Sequence, residues 1–155
     1  MKQLFLLRHG EASFSGGLDF ERNLSQNGVN QVLRLGSSLR NRISSIDKMY
    51  CSSAVRTRET AFMLEKYILI HDKEYRKEIY EATLETLLNI IENCPKHYKS
   101  CILVGHNPTM SLLLSHISGE NYFNLQTGML ACLELDLPDW RMLGFNTGVL
   151  KEVIQ

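Results

Sequence analysis

Short apolar runs alternate along this chain with segments whose apolar residues recur at helical spacing. The run at residues 4–7 is continuous and apolar, which favours a strand buried on both faces over a helix. Residues 47–51 and 100–104 are also predicted strands. Between and after these strands, helices are predicted from 25 to about 42, from 55 to about 69, over 83–93 and from 109 to about 117. The predicted N-caps are Ser25 for the first helix, Ser52 or Ser53 for the second, and Asn107, followed by Pro108, for the fourth.

The remaining segments carry weaker signals. Residues 131–135 and 139–145 are strand candidates joined by a turn at Leu137-Pro138, which predicts a hairpin. Residues 71–80 are strongly charged and end in a short extended segment at 78–80. Residues 12–23 form a predicted loop with glycines at 16 and 17, and residues 148–155 show no pattern.

The alternation of strands and helices predicts an α/β fold with a mostly parallel central sheet and helices on both faces. The 155 residues suffice for one domain with a proper core and are too few for two ordinary ones. We therefore expect a single domain over residues 1–155.

Charge and composition exclude several classes of partner. The 17 basic and 17 acidic residues cancel, which leaves no electrostatic footprint for nucleic acid or an anionic membrane. No apolar stretch approaches the roughly 20 residues of a membrane span, and the N-terminal run does not resemble a signal peptide, so we expect a cytoplasmic protein. The four cysteines lack metal-ligand spacing and are predicted to lie in the core.

Three predicted strand ends carry residues that are unusual at such positions. The first strand ends in Arg8-His9-Gly10, the second is followed by Ser52 and Arg56, and the third by His106. Each alone could be an ordinary surface or strand-end group. In open α/β sheets, however, ligands bind outside the carboxyl ends of the strands. Arg56 also falls in the first turn of a predicted helix, where the helix dipole favours a bound anion over a cation.

Two arginines around one point suit a phosphoryl group, because each guanidinium can bind two oxygens. His9 is then the candidate nucleophile, kept neutral by the nearby arginine charges. His106, if charged in the bound state, would stabilise negative charge on the transferring oxygens. We expect Gly10 to let the backbone turn tightly beside the phosphate. The arginine and histidine charges can stabilise the phosphoryl oxygens as a metal ion does in other enzymes, so we expect no metal or cofactor.

The same segments resemble the three sequence blocks of the histidine phosphatase superfamily, which includes the phosphoglycerate mutases. The blocks are Leu6-Leu7-Arg8-His9-Gly10-Glu11, Ser52-x-x-x-Arg56-x-x-x-Thr60-Ala61 and Leu103-Val104-Gly105-His106-Asn107-Pro108. Within that superfamily, the short chain is most similar to the SixA-type phosphohistidine phosphatases. The resemblance implies a three-layer α/β/α, phosphoglycerate mutase-like fold, with His9 as the phosphorylated nucleophile. It places Arg8, Arg56 and His106 in the rest of the phosphate pocket.

The resemblance also points to residues around the phosphate pocket. Gly10, Glu11, Arg22 and Ser52 are expected to bind phosphate or substrate, with Arg22 at the mouth of the site. The chain departs from relatives at Arg22-Asn23-Leu24-Ser25, where Arg-Pro-Leu-Thr is common, and at Thr57, where alanine is common. Larger members use a carboxylic acid to protonate the leaving oxygen. Glu81 is the first candidate for that role and Glu11 the second, although Glu81 could equally be a solvent-facing residue at the start of the third helix.

We therefore expect a metal-independent phosphatase that works through a phosphohistidine intermediate. The favoured substrate is phosphohistidine in a partner protein such as a phosphorelay domain, because a small chain without room for a large lid leaves an open site. The alternatives are a small-molecule phosphomonoesterase and a non-catalytic phosphate-binding or scaffold protein. A mutase is disfavoured, because little chain remains to retain a sugar-sized intermediate. We expect a monomer or weak dimer.

Overall fold

Strands and helices alternate along most of the chain in the computed structural model, which describes residues 1–14 and 17–155. The strands are β1 (Lys2–Arg8), β2 (Ser45–Ser52), β3 (Leu69–Arg76), β4 (Ser100–Gly105), β5 (Leu130–Leu135) and β6 (Gly148–Ile154). The α-helices are α1 (Gln26–Leu39), α2 (Val55–Leu64), α3 (Leu84–Glu92) and α4 (Thr109–Ser118). Short 3₁₀ turns occur at Asp19–Glu21, Lys77–Ile79 and Trp140–Met142. Ser15 and Gly16, within the loop predicted over 12–23, lie outside the described residues.

The strands form one sheet in the order β3-β2-β4-β1-β5-β6. The pairs β3–β2, β2–β4 and β4–β1 are parallel, whereas β5 runs antiparallel to both β1 and β6. The mostly parallel central sheet predicted from the sequence is confirmed. Because β4 lies between β1 and β2, the carboxyl ends of these three strands are adjacent at one edge of the sheet.

Alternate side chains of β1 face opposite sides of the sheet, and this alternation produces three layers. Leu4 and Leu6 pack in one apolar cluster with residues of α3 and α4. Phe5 and Leu7 pack in a second cluster with residues of α1 and α2. All four side chains are at most 4% exposed, as expected for a strand covered on both faces. The α/β/α sandwich is confirmed.

The charged segment after the second helix is mainly a strand. The helix predicted to reach about residue 69 ends at Leu64, and β3 runs from Leu69 to Arg76. This strand lies at the edge of the sheet and pairs only with β2 among the described strands. Its acidic residues Asp72 and Glu74 form ion pairs with Lys48 of β2. Charges are common on edge strands because they discourage pairing with other chains, so the segment lacks the apolar run that marks the central strands.

The predicted C-terminal hairpin has a different second strand. Residues 139–145 do not form a strand, because the 3₁₀ turn Trp140–Met142 places the Trp140 side chain in the core beside α3. The strand that pairs with β5 is β6, in the tail where the sequence showed no pattern. Residues of β6 are mostly half-buried or exposed, so its apolar signal is weak.

The predicted N-caps are partly correct. Ser25 caps α1 by accepting a hydrogen bond from the Gly28 N–H. Neither Ser52 nor Ser53 caps α2; the residue before that helix is Ala54, whose N–H donates to Ser52 Oγ. The residue before α4 is Pro108 rather than the predicted Asn107, whose side chain accepts from the Ser111 N–H inside that helix. Within residues 1–14 and 17–155, the helices are all too short or too polar to span a membrane.

Candidate active site

The carboxyl ends of β1, β2 and β4 bring two histidines and one buried arginine together. The His9 and His106 rings follow β1 and β4, and their centroids are 5.2 Å apart. Arg56, in the first turn of α2, is 6% exposed and places its Nε 3.4 Å from His9 Nε2. Arg8, at the end of β1, donates from Nη1 to the Leu125 carbonyl at 2.9 Å. The four residues predicted to form the core of the site therefore meet at one edge of the sheet.

The His9 ring is held in one tautomer. Its Nδ1 lies 2.6 Å from the carbonyl oxygen of Gly10. Since a carbonyl oxygen can only accept, Nδ1 carries the proton and Nε2 keeps its lone pair. The lone pair is on the nitrogen that faces the Arg56 Nε–H. Nε2 is thus the ring nitrogen of His9 that keeps a lone pair.

Burial and positive charge keep both histidines neutral. Burial, reinforced by the Arg56 and Arg8 charges, lowers the pKa of His9 to about 4, despite the opposing hydrogen bond to Gly10. Burial, followed by the His9 and Arg56 charges, lowers the pKa of His106 to about 3. A neutral His9 is the form that can attack phosphorus.

These pKa values predict that the protein loses stability in mildly acidic solution. Between about pH 4 and 6.5, the unfolded chain binds protons at His9 and His106 that the folded chain does not, so the free energy of unfolding falls as pH falls. His9 alone contributes up to about 3 kcal/mol to this fall in the free energy of unfolding, since one pKa unit is worth about 1.4 kcal/mol. Urea unfolding at pH values from 4.5 to 7.5 measures the slope. In His9→Gln the free energy of unfolding should depend less steeply on pH. Equal slopes in the two proteins would contradict the lowered pKa of His9.

Two buried polar atoms at the site have no hydrogen-bond partner among the described residues. They are Arg8 Nε and His106 Nδ1. The other ring nitrogen of His106 lies 2.8 Å from Ser52 Oγ, and Ser52 Oγ accepts a hydrogen bond from the Ala54 N–H. Ser52 therefore orients His106. Leaving a buried polar group unpaired costs about 1–3 kcal/mol, and an anion bound at the site would give the Arg8 Nε–H an acceptor.

Asp19 is a residue of the site that the sequence analysis missed. Its Oδ2 accepts from Arg56 Nη2 at 3.1 Å and from the Tyr80 hydroxyl at 2.6 Å, and its Oδ1 accepts from Arg22 Nη1 at 3.0 Å. The Asp19 carbonyl oxygen accepts from Arg56 Nη1 at 2.7 Å. The Tyr80 and Arg22 hydrogen bonds, with the Arg56 charge, hold the pKa of Asp19 well below its usual range. A single aspartate in a polar loop gave no local signal; only its spacing of three residues before Arg22 could have indicated an ion pair.

Gly10 and Glu11 contact the helices beside the site, and their predicted contacts with phosphate or substrate stay a prediction. The Gly10 N–H donates to Thr60 Oγ1 at 3.1 Å, so this N–H already has a hydrogen-bond acceptor within the protein. A Cβ at Gly10 would lie 2.8 Å from the carbonyl oxygen of Gly28, so the requirement for glycine comes from close packing against α1. Both carboxylate oxygens of Glu11 accept side-chain hydrogen bonds at the start of α1, from Ser25 and Asn27.

Arg22 and Glu81 differ in their connection to the site. Arg22 is linked to it through Asp19, donates from Nε to the Ser13 carbonyl at 2.8 Å, and stacks its guanidinium 4.1 Å from the Phe14 ring centroid. Glu81 is exposed, with a left-handed backbone (φ 59°), and makes no hydrogen bond or ion pair within the described part of the chain. Its role as proton donor stays a prediction.

The sequence and fold match a family model, a curated relative and solved structures. A model of the histidine phosphatase superfamily, branch 1, matches residues 4–96. The chain belongs to this superfamily. It is 28% identical over 123 residues to an uncharacterized protein of Mycobacterium leprae, covering 76% of this chain and 74% of that protein.

Two solved structures share the complete fold of this superfamily member. A protein named as the phosphohistidine phosphatase SixA of Agrobacterium tumefaciens is 27% identical, with a TM-score of 0.84 over 99% of this chain and 97% of that chain. A SixA counterpart from Nakamurella is 23% identical, with a TM-score of 0.85 over 99% and 95%. The resemblance to SixA-type enzymes is confirmed, and the chain is a hydrolase of the phosphatase class.

Proposed function

We propose that this phosphatase removes the phosphoryl group from phosphohistidine in a partner protein and carries it on His9. The observation that carries the proposal is the state of His9 Nε2. This nitrogen is unprotonated, because Nδ1 donates to Gly10, and it lies 3.4 Å from Arg56 Nε in a site lined with cations. A neutral imidazole facing a guanidinium is suited to attack an anion that the guanidinium binds.

The proposed reaction has two steps, and this chain's own side chains supply the positive charge for both. In the first, the lone pair of His9 Nε2 forms a bond to phosphorus while the bond to the leaving group breaks. In the second, a water oxygen forms a bond to phosphorus while the P–Nε2 bond breaks and its electron pair returns to Nε2. One proton of that water passes to a phosphoryl oxygen, and phosphate departs. Arg8, Arg56 and His106 stabilise the phosphoryl oxygens throughout.

The rim of the site supports a protein substrate. Phe14, 89% exposed, stacks against Arg22, and Tyr122 and Phe123 are exposed shortly before Leu125, whose carbonyl accepts from Arg8. Exposed aromatic side chains are enriched at protein interfaces, where they contribute binding energy. A small metabolite would leave these residues uncovered, whereas the surface around a phosphohistidine would bury them.

The test compares three substrates in EDTA: a histidine-phosphorylated phosphorelay domain, an aryl phosphate and a sugar phosphate. We expect kcat/KM for the phosphoprotein to exceed that for the sugar phosphate by about 100-fold or more, because an imidazole is the better leaving group and the rim adds binding. Comparable or faster turnover of the sugar phosphate would favour a phosphomonoesterase. Folded protein that binds vanadate but turns over none of the three would be a phosphate-binding protein.

A further inference from the structure

Asp19 places a carboxylate beside the cations of the proposed phosphate site. Arg56 joins the two groups, since its Nε is 3.4 Å from His9 Nε2 and its Nη2 is 3.1 Å from Asp19 Oδ2. Only one guanidinium therefore separates the nucleophile from the carboxylate. A phosphoryl group bound against both His9 and Arg56 would bring its leaving group close to Asp19.

The carboxylate is fixed in place but retains room for a ligand. Arg22, Arg56 and Tyr80 donate three side-chain hydrogen bonds to it, and two of these go to Oδ2. A carboxylate offers about four lone-pair sites, so Oδ1 can accept one more. The Asp19 side chain is 51% exposed, which leaves one side open to an arriving N–H group.

An aromatic ring stands beside this open carboxylate. Tyr80 donates its hydroxyl to Asp19, and its ring makes edge contacts with Phe20 and with His106, at centroid distances of 5.0 and 5.4 Å. A carboxylate next to an aromatic ring is a suitable environment for a flat cation, because both attract positive charge.

We propose that Asp19 and Tyr80 form a subsite for the protonated imidazole ring of a phosphohistidine substrate. This proposal rests on the proposed function. It identifies the protonated imidazole ring as the part of the leaving group that the site recognises. Asp19 Oδ1 accepts a hydrogen bond from the ring N–H that is not bonded to phosphorus. The subsite makes Asp19 a specificity-determining residue.

The chemistry of the leaving group gives the subsite its effect. When the free ring nitrogen carries a proton, breaking the P–N bond sends its electron pair to the ring, which departs as neutral imidazole without a separate acid. Asp19 stabilises this protonated form before transfer. An alkoxide or phenoxide leaving group develops negative charge instead, and the same carboxylate repels it. Asp19 therefore favours phosphohistidine and disfavours phosphate esters.

Asp19→Asn tests the subsite, because it keeps the shape and removes the charge. We expect kcat/KM for a histidine-phosphorylated phosphorelay domain to fall about 30-fold, because its protonated imidazole loses the attraction of the Asp19 carboxylate. We expect kcat/KM for an aryl phosphate to rise about fivefold, because its negatively charged leaving group is no longer repelled. Asp19→Glu should stay closer to the wild-type ratio of the two. Glu21→Gln is the matched control: Glu21 is an exposed carboxylate in the same 3₁₀ turn, and its removal should change neither substrate by more than about twofold.

Changes of kcat/KM in the same direction for both substrates would overturn the proposal. If both substrates improve and vanadate binds more tightly, Asp19 is only an anion that competes for Arg56. If both decline together, Asp19 only positions Arg56. Wild-type protein that hydrolyses aryl phosphate but not phosphohistidine would overturn the proposed function itself, and the subsite with it. The wild-type measurement thus separates failure of the proposed function from failure of the subsite.

Discussion

His9→Ala is expected to lose at least about 10⁴-fold in kcat with any phosphorylated substrate, because the variant has no nitrogen to carry the phosphoryl group. The wild-type protein, quenched in base during turnover, should hold a phosphoryl group that is stable to alkali and labile to acid. Phosphohistidine has that stability, whereas phosphoserine survives acid. In His9→Ala this adduct should be absent.

The matched control removes a histidine that lies on the protein surface. His71 is exposed on β3, away from the strand ends that form the site, so His71→Ala should keep both turnover and adduct. Far-ultraviolet circular dichroism of the two variants would establish that both are folded. An adduct that persists in His9→Ala would mean that another residue carries the phosphoryl group.

Arg56→Ala is expected to reduce kcat/KM by about 10²–10³-fold, the usual effect of removing one group that stabilises charge in the transition state. Arg56 donates to Asp19 through both terminal nitrogens and faces His9 through Nε. Its loss removes an electrostatic partner of the phosphate and the link that positions Asp19. Arg56→Lys should recover little, because an ammonium cannot reproduce the planar fork.

Arg58→Ala is the control for this prediction. Arg58 is exposed on the same helix, two residues away, so the change removes an equal charge without reaching the site. Steady-state kinetics with an aryl phosphate and titration with vanadate measure the effects on turnover and on anion binding. Equal losses in Arg56→Ala and Arg58→Ala would mean that general positive charge, rather than the Arg56 fork, supports the reaction.

Much of the fold followed from local patterns. The central strands β1 and β4 were predictable because strands covered on both faces need continuous apolar runs. The edge strand β3 and the C-terminal strand β6 were missed because partly exposed strands tolerate charges, and only their pairing with β2 and β5 defines them. Residues 139–145 were predicted wrongly, since burial of Trp140 in a 3₁₀ turn depends on α3.

The sequence by itself determined which residues stand at the strand ends. Arg8, His9, Arg56 and His106 follow apolar strands directly or within a few residues, and parallel strands deliver their carboxyl ends to one edge. Only the tertiary structure decided how these groups are held: His9 by the Gly10 carbonyl, and His106 by Ser52.

The tertiary structure alone also revealed Asp19. Its contacts with Arg56 and Tyr80 join residues 37 and 61 positions apart in the chain. Hydrogen bonds between distant polar residues leave no periodicity in the sequence, because they depend on where the fold places each side chain. Apolar runs are visible in the sequence, because every residue of a central strand is buried.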